Sequence, residues 1–540
     1  MLDNFLVIVF IVAAVWLIIF GFNKERARKK EEREARERQI AAEAEAKKRE
    51  QLKREVEAIL DQLPKEPPFT VSPWYGLHFD HRNEHTLICA STGHGKTELM
   101  KAMIGHDLEA VQAGEASVVV IDSQVELIED ILGAKEAYGP RTILIDPHDV
   151  DYPFGLSFLD IGKIKQLRGF EYEAAFTQAI DTIETILGSQ NASFTQRQRT
   201  LFTFVFELLI QIDDATLLTL LDVLDKDGHR QYHQHYRKLS EPAQYFFTNE
   251  MHGIDGREYR ETKTEVVRRI VGLTQFAYFR KMFSDPHPQF SFDEAFEHGT
   301  LILASTSIRL FAKEGSATFG KYIIAQTLKA AQKRLGSRGP KKPIYLYIDE
   351  ADAYLDGNIE LLLQQARKLN LGIIMAHTNL ENLQKTGLLG QMRANTAHKL
   401  TGTLFDQDAR KLASDFGIEK DAMDWFTKPK TGIFNVASRY PINHIYLNAY
   451  EHAPDPMATM IDRYRDGDLV PPYYRTFTRG VTTNVIGAYA DRTHKATQGD
   501  RNALRDRMRA RYSVKITAPQ ENEEENLPDD DVTMAKPRKS

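Results

Sequence analysis

Ser91-Thr-Gly-His-Gly-Lys-Thr97 brings two glycines, an ammonium group and two threonine hydroxyls together within seven residues. Such a segment can hold a polyphosphate. Gly93 and Gly95 let the backbone wrap closely around anionic oxygens, and amide N–H groups at the start of a following helix face them. Lys96 reaches the β and γ phosphates and Thr97 offers its hydroxyl to magnesium. Ala90 stands where the pattern G-x-x-x-x-G-K-[ST] begins with glycine, a small-for-small exchange. The expected binding loop is therefore Ala90, Ser91, Thr92, Gly93, His94, Gly95, Lys96 and Thr97, with ATP and Mg2+ as the implied ligands.

A second group supplies what hydrolysis would need. Lys342-Pro-Ile-Tyr-Leu-Tyr-Ile-Asp349-Glu350 reads as an apolar strand that delivers two adjacent carboxylates at its C-terminal end, where open α/β sheets bind ligands. Asp349 is expected to hold magnesium through water. Glu350 is expected to orient and deprotonate the attacking water, because phosphoryl transfer rests on positioning and charge neutralisation.

These side chains need a scaffold of strands feeding loops and helices. Residues 86–90 read as a short buried strand ahead of the glycine loop, and 98–103 as the helix after it. Further strands are expected at 117–122, 142–146 and 300–305. Lys96 and Asp349 lie about 250 positions apart, far more than a minimal core of this kind requires. The intervening residues show helical periodicity at 171–187, 196–212, 215–224 and 262–282. The organisation predicted is a discontinuous α/β domain, 66–162 plus 298–454, carrying an all-α insertion at 163–297.

Beyond the two carboxylates come three further blocks. Gln365-Ala-Arg-Lys-Leu-Asn-Leu-Gly-Ile-Ile-Met-Ala-His-Thr-Asn-Leu380 joins a helix to another core strand. Met392-Arg-Ala-Asn-Thr-Ala-His-Lys-Leu and Asp406-Gln-Asp-Ala-Arg-Lys-Leu-Ala-Ser-Asp-Phe-Gly417 follow. In this order the blocks resemble the HerA/FtsK superfamily of ring ATPases, most closely the TraG/TraD-type coupling proteins of conjugation and type IV secretion. The likeness spans roughly 70–450. It implies a RecA-like P-loop NTPase core and a hexamer that threads DNA through a central pore. It also implies that Arg367 reaches the γ phosphate bound to a neighbouring subunit, making hydrolysis depend on assembly. Thr378 stands where the family's sensor is usually glutamine. Asp122-Ser-Gln-Val-Glu126 stands where coupling proteins tend to show Asp-Pro-Lys-Gly-Glu, and Asp122 receives no role from the sequence.

The ends of the chain differ from its middle. Residues 5–22 contain no charged side chain, and such a helix covers about 27 Å of a roughly 30 Å hydrocarbon layer. Asp3 precedes the run, and Lys24, Arg26, Arg28, Lys29 and Lys30 follow it, so 1–23 is expected to be an uncleaved anchor with the bulk cytoplasmic. Residues 24–65 are rich in Glu, Lys, Arg, Ala and Gln, with opposite charges four apart, and read as a charged helical stalk. Residues 455–540 read as a largely flexible tail with an arginine patch (Arg501, Arg505, Arg507, Arg509, Arg511) and an acidic end. That tail is either a solvated extension or a docking segment for secretion or relaxosome-like partners.

Composition sets outer limits. A net charge of −6 excludes a polycation that coats nucleic acid indiscriminately, so any DNA surface must be local. The single cysteine, Cys89, excludes an intramolecular disulfide and a cysteine-rich zinc site, in keeping with a reducing cytoplasm. The expected function is a membrane-anchored DNA translocase or coupling protein of a bacterial inner membrane. Two rivals stay open: a secretion ATPase of the same superfamily acting on protein subunits, and a nucleotide-regulated membrane scaffold without sustained turnover.

Overall fold

The computed structural model describes residues 79–514, except 188–193, 226–227, 252–256, 335–340, 355–358, 386, 417–423, 428–432, 439–478 and 485–492, together with the single positions 36 and 47. The expected anchor at 1–23, nearly all of the stalk and the acidic end lie outside the described residues. Among the described residues no helix is long and apolar enough to cross a membrane.

In chain order, β1 (Thr86–Cys89) leads to α1 (Lys96–Ala113), then to β2 (Ser117–Asp122), α2 (Glu126–Ile131) and β3 (Thr142–Ile145). From 161 to 298 the described residues form helices, turns and loops, the main helices being α3 (Gly169–Leu187), α4 (Gln196–Gln211), α5 (Leu217–Leu224), α6 (Arg257–Thr274) and α7 (Ala277–Met282). Strands then resume with β4 (Leu301–Ser305), α8 (Ile308–Lys333), β5 (Ile344–Ile348), α9 (Ile359–Lys368) and β6 (Leu371–His377). The remaining elements used below are β7 (His398–Thr401), α10 (Asp406–Phe416), β8 (Ile433–Ser438), β9 (Arg479–Asn484) and α11 (Gln498–Tyr512).

The chain divides into two compact units, one of 1–106 with 372–493 and the other of 107–371 with 494–540. In the first unit β1 lies between β6 and β7 and runs parallel to both, with Thr86 paired to Ile374 on one side and His398 on the other. Every residue of β1 is buried, as a parallel strand covered on both faces requires. Antiparallel β8 and β9 extend this sheet beyond β7.

In the second unit four parallel strands run in the order β3-β4-β2-β5. Ser117-Val-Val-Val-Ile-Asp122 in β2 and Ile344-Tyr-Leu-Tyr-Ile348 in β5 are buried at every position, so β-branched and aromatic side chains fill both faces. Tyr347 of β5 donates its hydroxyl to Asp107 Oδ2 on α1 at 2.6 Å. The helical segment has its own core, where Phe246 packs edge-on against Phe247 and Tyr259. Arg199 of α4 ties α3 through Asp181 and Glu184. Capping boxes at Thr195 and Thr216 start α4 and α5 by satisfying their first N–H groups. The single helix expected at 262–282 is two helices, α6 and α7, separated at Gln275 and Phe276; Phe276 is extended (φ −80, ψ 115) and starts the second.

The arginine patch is where the structure corrects the expected flexible tail. Residues 498–512 form α11, opened by a capping box between Thr497 and Asp500. Leu504, Met508 and Tyr512, four residues apart, are buried, and Tyr512 joins an aromatic group with Phe154 and Phe290. Arg501 pairs with Glu129, Arg509 grips both carboxylate oxygens of Asp149 at 2.7 and 2.9 Å, and Arg507 donates to the carbonyls of Gly139 and Thr142. Three of the five arginines thus serve the fold. A helix that buries one apolar stripe at i, i+4, i+8 docks regardless of how charged its other faces are.

Candidate functional site

In the first unit the glycine loop leaves the carboxyl end of β1 and opens into α1. Gly93 and Gly95 take φ of 78° and 97°, the left-handed region that glycine enters without steric cost. A Cβ added at Gly93 would meet nothing within 4 Å, so the loop's crest faces open space. Helix α1 begins at Lys96, and the first-turn N–H groups of a helix have no acceptor inside it. Lys96 folds back along the loop and donates from Nζ to the Ala90 carbonyl at 2.9 Å. Its ammonium therefore stands over the loop's own backbone. Amides at a helix N-terminus, one ammonium and the Thr97 hydroxyl form a donor set that fits a polyphosphate with its counter-cation.

Neighbouring strand ends hold the loop. Ala90 N–H donates to the His377 carbonyl at 3.2 Å and Ser91 N–H to the Thr403 carbonyl at 2.8 Å. Thr378, next after β6, is thereby brought beside the loop, and Leu380 N–H donates to Asp408 Oδ2, which anchors the turn that follows. Asp408 is 5% exposed and also pairs with Lys411. Its place in the Asp406 block gave no hint of this role, because an acidic residue in the first turn of a helix reads as a surface dipole partner. Thr92 is exposed, and the ring of His94 lies 3.0 Å from the Thr92 carbonyl.

Asp349, Glu350 and Arg367 belong to the second unit. Asp349 follows β5 and is 8% exposed; its N–H donates to the Ile121 carbonyl and its Oδ1 accepts from Glu350 N–H at 2.9 Å. Glu350 adopts a left-handed backbone (φ 49, ψ 51), which turns the chain sharply and presents its carboxylate at the strand end. Arg367 is exposed in the last turn of α9. Asp122, left without a role by the sequence, is 1% exposed and accepts N–H groups from Gln124 at 2.8 Å and Ile128 at 3.1 Å. Burial pushes its carboxyl up from the ordinary range, against the pull of these backbone donors. Two residues given no role by the sequence make contacts here: Gln124 donates from Nε2 to Glu350 Oε2 in this unit, and Gly402 N–H donates to the Cys89 carbonyl in the first.

The comparisons with known proteins identify the lineage. The family described as type IV secretion-system coupling protein DNA-binding domain matches residues 76–416. The chain belongs to this family. Among solved structures of coupling proteins, the unbound TrwB conjugative coupling protein matches with a TM-score of 0.51 at 12% identity, covering 72% of this chain and 89% of that one. TrwB in complex with ADP and Mg2+ matches with the same score and identity, over 71% of this chain and 89% of that one. TrwB with the ATP analogue ADPNP matches at 13% identity and a TM-score of 0.51, over 71% and 88%. At this identity the likeness is one of fold, and it bears out the mixed α/β architecture expected of a coupling protein. No curated protein sequence matches the chain.

Proposed function

We infer that this coupling-family chain is an ATP-driven motor for DNA in a type IV secretion or conjugation system. It would work as a membrane-anchored homo-oligomer, with a hexamer expected, at a bacterial inner membrane. The observation that carries the reading is the loop of Gly93 and Gly95 in left-handed conformation with the Lys96 ammonium folded over it, in a chain of the coupling family. Lys96 and the loop amides bind the phosphates, and Glu350 takes the proton of the attacking water. Thr378 stands at the strand end where its hydroxyl can contact water or phosphate. Thr97 and Asp349 would hold Mg2+, which when bound neutralises charge on the phosphate oxygens. That TrwB was solved with ADP and Mg2+ and with an ATP analogue supports ATP and Mg2+ as ligands here.

The test is the ATPase rate of the full-length chain in detergent, with and without DNA, over a range of salt. DNA should stimulate hydrolysis, and the stimulation should fall steeply between low and physiological salt as counterions compete for the phosphates. Lys96→Ala should lose nucleotide binding, whereas Glu350→Gln should keep binding and stop turnover. An oligomeric, active preparation that no DNA stimulates at low salt would move the reading to a secretion ATPase acting on protein subunits. Turnover by Glu350→Gln near the wild-type rate would remove Glu350 as the base.

A further inference from the structure

We propose that Gln124 is a positioning residue for Glu350: its side-chain amide holds and aims the carboxylate that activates water. This rests on the reading of Glu350 as the base and adds the group that sets its geometry. Gln124 Nε2 donates to Glu350 Oε2 at 3.3 Å. The contact follows from strand pairing, since β2 and β5 are adjacent and parallel with Ile121 opposite Ile348. The Asp349 N–H to Ile121 carbonyl bond continues that pairing one step further. Gln124 and Glu350 therefore leave neighbouring strand ends side by side.

The backbone on both sides is held in conformations that a chain does not adopt without cause. Val125, a β-branched residue, sits at φ 74 and ψ −12, and Glu350 opposite is also left-handed. A left-handed non-glycine residue is strained and persists only where its surroundings fix it. Here Asp122 does so, gripping the N–H groups on either side of Val125 from Gln124 to Ile128. After Glu350, the Tyr354 hydroxyl meets the Thr306 hydroxyl at 2.7 Å, which pins the segment following the base. Gln124 thus projects from a turn whose backbone is determined by a buried carboxylate. Gln124 is exposed, but a side chain mounted on a fixed turn can hold a carboxylate in one orientation, which a glutamine on a loose loop cannot.

An amide N–H donated to one oxygen of a carboxylate restrains rotation of the group, so Gln124 holds Glu350 in one orientation towards the attacking water. The experiment is steady-state ATP hydrolysis by the full-length protein for Gln124→Ala, Gln124→Glu and Gln124→Lys, with Glu350→Gln in parallel and nucleotide binding measured for each. Gln124→Ala should lower kcat about tenfold with KM for ATP within about twofold of wild type. Gln124→Glu, which replaces the donor by a second carboxylate, should lose at least as much, whereas Gln124→Lys, which keeps an N–H donor of similar reach, should retain a large part of kcat. If Glu350→Gln is inactive while all three variants keep wild-type kcat, the positioning role is wrong and the base stands. An equal loss in all three, whether or not the variant keeps a donor, would reduce Gln124 to a structural part of the turn and also overturn the proposal. An active Glu350→Gln would remove the base, and this proposal with it.

Discussion

Ala90 carries a methyl group where the phosphate-loop pattern begins with glycine, and the room for it comes from another strand end. Gly402 N–H donates to the Cys89 carbonyl, and a Cβ added at Gly402 would lie 2.7 Å from the Ala90 Cβ and 3.2 Å from a ring carbon of buried Phe434. The two positions share space for a single methyl group, so the departure at Ala90 is matched by the glycine beside it. Gly402→Ala should displace the start of the loop, weakening ATP binding several-fold and lowering stability by about 1–3 kcal/mol, the usual cost of overpacking. Ala90→Gly added to it should recover a large part of both, leaving the lesser contact with Phe434. The check is a double-mutant cycle on nucleotide affinity and thermal midpoint, where simple additivity would show that the two residues do not compete for space. No spacing rule marks Gly402, because a glycine after a strand is most often a turn residue.

At the scale of elements, β1, β2, β4, β5 and β6 were legible because each is a short apolar run buried on both faces, and Ser117–Asp122 has the bounds its composition suggests. The loop and carboxylates were legible because their chemistry tolerates few residue types. The polar runs of β7 and β9 were not, and β9 lies within the segment expected as a flexible tail. Helix α11 was not, since five arginines in a polar stretch outweigh three apolar residues spaced four apart. Leu504→Asp puts a charge into a site only 2% exposed, and should undock the helix at a cost of several kcal/mol. The measurement is limited proteolysis, with cleavage between Thr493 and Val514 rising many-fold while far-UV circular dichroism changes little; unchanged protection would mean the docking contributes nothing. At the end of β3, His148 Nδ1 lies 2.8 Å from Asp146 Oδ1. The hydrogen bond to Asp146 holds the imidazole above its ordinary pKa, and burial would raise Asp146 but His148 prevails and lowers it. The histidine's contribution is complete below the ordinary histidine pKa and fades as pH rises through its raised value. That of Asp146 is complete above the ordinary carboxylate pKa and is lost as pH falls through its depressed value. The pair therefore works in the window between those two values. The His148 ring resonance should titrate above the ordinary histidine range and return to it in Asp146→Asn, and an identical midpoint in both proteins would contradict the pairing.

For the whole molecule the decisive residue is Arg367, exposed at the end of α9 and assigned by resemblance to the coupling proteins. An exposed arginine on a helix is ordinarily a solvated charge and its removal costs little. In a ring built by heterologous contacts, one surface of each subunit faces a different surface of the next, and a cation placed there can act on its neighbour's phosphates. Arg367→Ala should then bind ATP as the wild type does and hydrolyse it poorly. Lys96→Ala fails for the opposite reason, lacking the phosphate grip but retaining the arginine. Mixed in equal amounts, about a quarter of the interfaces pair an intact loop on one subunit with an intact arginine on the next, because each half is correct in one subunit of two. If interfaces fire independently, activity should recover to roughly a quarter of wild type, and to less if neighbouring sites must fire together. The measurement is ATPase rate against mixing ratio, with differently tagged subunits recovered together to establish co-assembly. A bell-shaped dependence peaking near equal amounts is the signature of action in trans, and a flat response in co-assembled rings would remove Arg367 as a group acting on the neighbouring site.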